Sequence, residues 1–108
     1  MTPELKTFPD LRRSTRVPLQ VSIEVEGDFG HPLKGTTAVV NLHGALIMIV
    51  DPLPVGSHIK VTVYITSKSA LARVVYVAPD NPLKVGIELE KPQNIWGVPL
   101  PPADWEED

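Results

Sequence analysis

Leu19-Gln20-Val21-Ser22-Ile23-Glu24-Val25-Glu26 alternates an aliphatic residue with a polar one along its whole length. Successive side chains of a β-strand point to opposite faces, so Leu19, Val21, Ile23 and Val25 would line a core while Gln20, Ser22, Glu24 and Glu26 meet water. The same rhythm returns at His58–Thr66, with Ile59, Val61, Val63 and Ile65 inward and Lys60, Thr62 and Thr66 outward. It appears again at Lys84–Glu90, where Val85, Ile87 and Leu89 share a face.

Between these anchors the chain offers further strands. Gly27–Gly35 reads as a loop, Thr36–Leu42 as a second strand, and His43-Gly44 as a tight connection into Ala45–Val50. That third strand is apolar throughout, which predicts a central place with both faces covered. Pro52 and Pro54 mark the next turn, Ser67-Lys68-Ser69 a hairpin turn, Ala70–Ala78 a fifth strand, and Pro79-Asp80-Asn81-Pro82 the turn before the sixth. Twelve prolines argue against helices, because one inside a helix costs about 3 kcal/mol. Six short strands predict an all-β, six-stranded antiparallel barrel, with sequence neighbours paired and no open edge left to aggregate. Three parts follow: an arm over residues 1–18, flexible and basic; a barrel over 19–91; and an extended, proline-rich tail over 92–108. Pro102–Glu107 suits one helical turn. Trp96, Leu100 and Trp105 either dock the tail on the barrel or present an apolar surface to a partner, and docking is the expectation.

A chain of 108 residues fits one domain with one core and a shallow surface site. It has no cysteine, which excludes disulfides and thiolate chemistry. No apolar run approaches the ~20 residues of a membrane helix, and Met1–Leu11 lacks the apolar core of a secretion signal. The expectation is a cytoplasmic protein. The net charge of -3 gives no global attraction to nucleic acid or anionic lipid. Its distribution is uneven: Arg12, Arg13 and Arg16 cluster before the first strand, and Asp104, Glu106, Glu107 and Asp108 load the end.

Two segments carry candidate chemistry. In Arg12-Arg13-Ser14-Thr15-Arg16 the guanidinium forks suit phosphate oxygens, and their flat faces can stack on a purine. A solvated arm is the plainer reading of the same charges. In Asn41-Leu42-His43-Gly44 a carboxamide able to read a base edge ends one strand, and a residue without Cβ opens the next. An ordinary hairpin turn would use the same residue types.

Together these segments resemble the PilZ family, which carries Arg-x-x-x-Arg ahead of its first strand and Asp/Asn-x-Ser-x-x-Gly between its second and third. Arg12 and Arg16 match the first motif, with Arg13 doubling the arginine; Asn41 and Gly44 match the ends of the second. The resemblance runs from about Leu11 to Trp105. It takes in Ala72-Arg73-Val74-Val75-Tyr76, Val85-Gly86-Ile87-Glu88-Leu89 and Asn94-Ile95-Trp96-Gly97. It implies a split barrel that binds cyclic di-GMP, with the arginine arm closing over the ligand. Here the second motif is two residues shorter and lacks the serine that helps hold the ligand, so Ser14 or His43 would stand in. The implied ligand site is Arg12, Arg13, Arg16, Asn41, His43 and Gly44.

Two functions follow: a cyclic di-GMP signalling module, or a degenerate PilZ-like adaptor that binds protein without nucleotide. Neither needs a resident cofactor or metal, and both suit a monomer or weak homodimer. An enzyme is not expected. His31, His43 and His58 lack metal-ligand spacing, and a Ser14–His43–Asp51 triad would lack a nucleophile elbow. Binding to nucleic acid is not expected either, since aromatic residues are few and the strands carry little net positive charge.

Overall fold

The computed structural model describes Thr15 to Trp105, so the expectations for Arg12, Arg13, Ser14 and Glu106–Asp108 lie outside the described residues. Seven strands follow in order: β1 Val17–Pro18, β2 Ser22–Glu26, β3 Leu33–Asn41, β4 Gly44–Ile49, β5 His58–Val63, β6 Lys68–Ala78 and β7 Asn81–Leu89. A single 3-10 turn, Ala103–Trp105, is the only helical element among the described residues.

The architecture is the expected six-stranded antiparallel barrel plus one extra strand. β2 pairs with β3, β3 with β4, β4 with β7, β7 with β6, β6 with β5, and β5 with β2, closing the ring. The interior is filled from every wall by Ile23, Val25, Val40, Ile47, Val61, Val63, Val74 and Val85, all fully buried. β-branched side chains fit this role because they lose little freedom on a pleated surface. Within the six-stranded ring, neighbour pairing fails at one connection. β4 does not pair with β5; the segment 50–57 carries the chain across, and the partners become β4–β7 and β2–β5.

The extra strand has a local cause. β1 and β2 run along the same side of β3, with Val17 opposite Val40 and Ser22 opposite Thr36. The expected Leu19–Glu26 strand is thus part of a longer path broken at Leu19–Val21. The break faces a bulge in β3 between Thr37 and Val39. There Thr37, buried at 2% exposure, replaces the missing ladder bonds. Its hydroxyl donates to the Leu19 carbonyl at 2.5 Å and accepts from the Val21 N–H at 3.0 Å. A buried backbone group without a partner is costly, so a hydroxyl serving both sides makes the break tolerable.

Several local expectations are corrected. β5 ends at Val63 and the turn is Tyr64–Ser67, not Ser67–Ser69; Ile65 points out at 76% exposure. Ser67 adopts a left-handed φ of 59°, and the Thr66 hydroxyl pins the turn to the Ile95 carbonyl at 2.9 Å. The turn before β7 is Pro79-Asp80 alone. Pro82 is accommodated inside β7 because the ladder skips from Ala78–Asn81 to Val77–Val85, so no bond needs its missing N–H. β4 is not covered equally on both faces: Leu46 and Met48 are only half-buried, and Val50, beyond its end, is exposed. Trp96 and Trp105 do dock the tail, at 1% and 4% exposure, but Leu100 stands in solvent at 88%.

Candidate functional site

Asn41 closes β3 and Gly44 opens β4, with only Leu42 and His43 between them. Asn41 stabilises this turn itself: its Oδ1 accepts from the His43 N–H at 2.9 Å and the Gly44 N–H at 2.8 Å. Such side-chain mimicry of a backbone turn is what asparagine does at chain reversals. The three consecutive carbonyls are held from outside the hairpin. The Trp96 indole N–H donates to Asn41 O at 2.9 Å, the Gln93 N–H to Leu42 O at 3.0 Å, and the Leu89 N–H to His43 O at 2.8 Å. The end of β7 and the tail after it therefore clamp the turn in one shape.

Gly44 has a packing reason of its own. A Cβ there would overlap the carbonyl oxygen of Ile87. β7 approaches closer than any side chain permits, so the glycine is accounted for without a ligand.

The arm reaches this same place. Val17 pairs with Val40. One further step in that register sets Arg16 opposite Asn41, on the outward face that alternates with the inward Val17 and Val40. Arg16 is exposed, with no ion-pair partner among the described residues. Just before it, Thr15 is gripped by the tail. Its N–H donates to both Asp104 carboxylate oxygens at 2.9 and 3.1 Å, and its hydroxyl donates to one of them at 2.8 Å. Its carbonyl accepts from the Trp105 indole N–H at 2.7 Å. Of the expected site residues, Arg16, Asn41, His43 and Gly44 are thus brought together, and Arg12 and Arg13 lie outside the described residues.

Outward from the hairpin the ladder continues laterally: Asn41 opposite Gly44, Gly44 opposite Glu88, Glu88 opposite Arg73. Three strand spacings separate Asn41 from Arg73, about 14 Å. Arg73 faces solvent and pairs with Glu88 at 3.1 Å, both half exposed, beside a shallow depression that also takes in His58 and Glu90. No cluster of His, Cys, Asp or Glu among the described residues is arranged to hold a metal ion. No helix among the described residues is long and apolar enough to cross a membrane. The Tyr64 hydroxyl donates to Glu24 at 2.8 Å. That bond, a little desolvation and the negative charge of Glu24 raise the phenol above its ordinary range.

Sequence reasoning missed the residues that build this juncture from the far end of the chain. Asp104 reads as part of a charged tail and Trp96 and Trp105 as generic docking aromatics. Nothing local marks contacts across 89, 55 and 90 residues.

The fold and this juncture define a class: a small closed β-barrel whose N-terminal arm and C-terminal tail meet at one hairpin. The family model of the PilZ domain matches residues 10–95, and the chain belongs to that family. PilZ domains are generally cyclic di-GMP-binding signalling modules rather than enzymes. Comparison with curated proteins gives no match.

Proposed function

We propose that this PilZ domain binds cyclic di-GMP, with Arg12, Arg13 and Arg16 closing over the Asn41–Gly44 hairpin. The observation that carries the reading is the β1–β3 register, which sets the base of the arginine arm at the Asn41 end of β3. The guanidinium groups grip the phosphodiesters and stack on a guanine. Asn41, whose oxygen also holds the turn, reads a guanine edge with its carboxamide. His43 occupies the turn where the family's serine is missing. Binding orders the arm, and a protein partner senses the ordered form. The domain works without a cofactor in the cytoplasm, as a monomer or weak homodimer.

Titration calorimetry with cyclic di-GMP, with GMP as the control, tests this. Saturable heat for the cyclic dinucleotide that vanishes in Arg12→Ala/Arg16→Ala is expected. No heat at tens of micromolar ligand rejects it.

A second reading, an adaptor that binds protein without nucleotide, is favoured by the shortened hairpin, whose carbonyls and Asn41 oxygen serve the fold. Trp96 and Trp105 are buried, so Leu100 is the apolar anchor such a partner would find. A purified partner that binds wild type and Arg12→Ala/Arg16→Ala equally, and Leu100→Asp poorly, would support it. Cyclic di-GMP binding lost with the arginines favours the first reading.

A further inference from the structure

We infer that Asp104 and Trp105 are positioning residues for the arginine arm, fixing its base beside the hairpin and so setting its affinity for ligand. The inference rests on the reading of the arm as the ligand-gripping element.

Thr15 sits inside the basic run, two residues after Arg13 and one before Arg16. Its backbone N–H, hydroxyl and carbonyl are all engaged, and every partner comes from the tail: the Asp104 carboxylate at 2.8–3.1 Å and the Trp105 indole at 2.7 Å. Trp105 is buried, so this grip is tied to the core, and the 3-10 turn presents Asp104 and Trp105 together. The other tail tryptophan holds the hairpin at Asn41 O. Both halves of the candidate site are therefore positioned by one tail. Without the clamp a ligand would have to order Thr15 and Arg16 itself, and fixing one residue's backbone is equivalent to roughly tenfold in an equilibrium constant.

Electrostatics gives this a sign. Asp104 is an anion next to the arm, so by charge alone its removal should tighten binding of a phosphodiester. Positioning demands the opposite. The substitution Asp104→Asn separates the two effects. One amide oxygen in the place of Oδ2 still accepts from both the Thr15 N–H, at 2.9 Å in the wild type, and the Thr15 hydroxyl, at 2.8 Å, without the charge.

The experiment is calorimetric titration of the full chain with cyclic di-GMP, comparing wild type, Asp104→Ala, Asp104→Asn and Trp105→Phe. Amide exchange is followed at Thr15, with Val61 and Val63 as barrel controls. Asp104→Ala is expected to bind roughly tenfold more weakly and to expose the Thr15 amide, with the controls unchanged. Asp104→Asn should restore affinity to within about threefold of wild type or better. Trp105→Phe keeps an aromatic ring but loses the indole donor, and should weaken binding in the same direction. The inference is overturned if Asp104→Ala binds as tightly as wild type or tighter, or if Asp104→Asn is as weak as Asp104→Ala. Wild-type affinity in Trp105→Phe overturns the part assigned to Trp105. A wild type that gives no heat removes the ligand reading and this inference with it, whereas a binding wild type with an unaffected Asp104→Ala removes the inference alone.

Discussion

Gly44→Ala puts a methyl group where the structure has the backbone of β7. The new Cβ would overlap the Ile87 carbonyl oxygen and lie 3.1 Å from the Ile87 carbonyl carbon and 3.2 Å from the Glu88 Cα. None of these atoms belongs to a flexible side chain. They sit at the start of a ladder that runs from Gly44–Glu88 to Met48–Lys84, so relief requires β4 and β7 to separate. Overpacking costs about 1–3 kcal/mol when side chains can adjust and more when backbone must shift. Alanine recovers roughly 0.5–1 kcal/mol by restricting the unfolded chain. The net loss should be about 2–3 kcal/mol, or roughly 10–20 °C in Tm for a domain of this size. Gly86→Ala is the internal control, because the atom nearest its Cβ would be the Tyr76 Cβ at 3.2 Å, a contact relieved by a shift of a few tenths of an ångström, with the ring atoms at 3.5 Å and beyond. It should lose under about 1 kcal/mol. Urea denaturation measures both, and the Gly44→Ala midpoint should fall with m unchanged. A Gly44→Ala protein within about 0.5 kcal/mol of wild type would refute the close approach of β7. If that stable variant had also lost ligand binding, the glycine would be a ligand contact and not a packing residue.

Thr37→Val removes the hydroxyl that joins Leu19 O to Val21 N–H and should cost about 2–3 kcal/mol by urea denaturation, while Thr37→Ser, which keeps the hydroxyl, should cost under about 1.5 kcal/mol. The Tyr64 phenol titrates above its ordinary range because Glu24 holds its proton. The neutral form is the one the fold favours, so this contribution is complete below the unfolded-state pKa and disappears as pH rises through the folded-state value. Ultraviolet titration should show the Tyr64 midpoint falling back in Glu24→Gln; an unchanged midpoint would count against the bond. The Arg73–Glu88 pair is half exposed, and a double-mutant cycle should give a coupling below about 1 kcal/mol.

The barrel was legible wherever alternation met burial. Ile23, Val25, Ile59, Val61, Val63, Val85, Ile87 and Leu89 all face inward as their spacing required. The pattern could not say where a strand stops. Ile65 continues the alternation of β5, yet it belongs to the turn fixed by Thr66 and the left-handed Ser67, because a turn carries no hydrophobic period of its own. Pro82 reads as a turn residue until a bulge absorbs it. The β4–β7 and β2–β5 pairings escaped because nearest-neighbour pairing is only a tendency, and closing a ring overrides it at one connection. At the candidate site the hairpin residues could be read, since Asn and Gly mark turns. The clamp at Thr15 could not, because hydrogen bonds between residues at opposite ends of a chain leave no periodic trace. The tail tryptophans read as docking residues, but what they hold, the Asn41 and Thr15 carbonyls, needed coordinates.

If the arginine arm and the Asn41–Gly44 hairpin form one anion-binding surface, a bound cyclic dinucleotide must perturb both together. Backbone amide NMR of isotope-labelled protein during addition of cyclic di-GMP maps that surface residue by residue. The largest shift changes are expected at Arg12–Val17 and Asn41–Ala45, with the Gly27–Pro32 and Asp51–Gly56 loops silent. Changes confined to those loops, or none at saturating ligand, would mean that arm and hairpin do not make a binding surface.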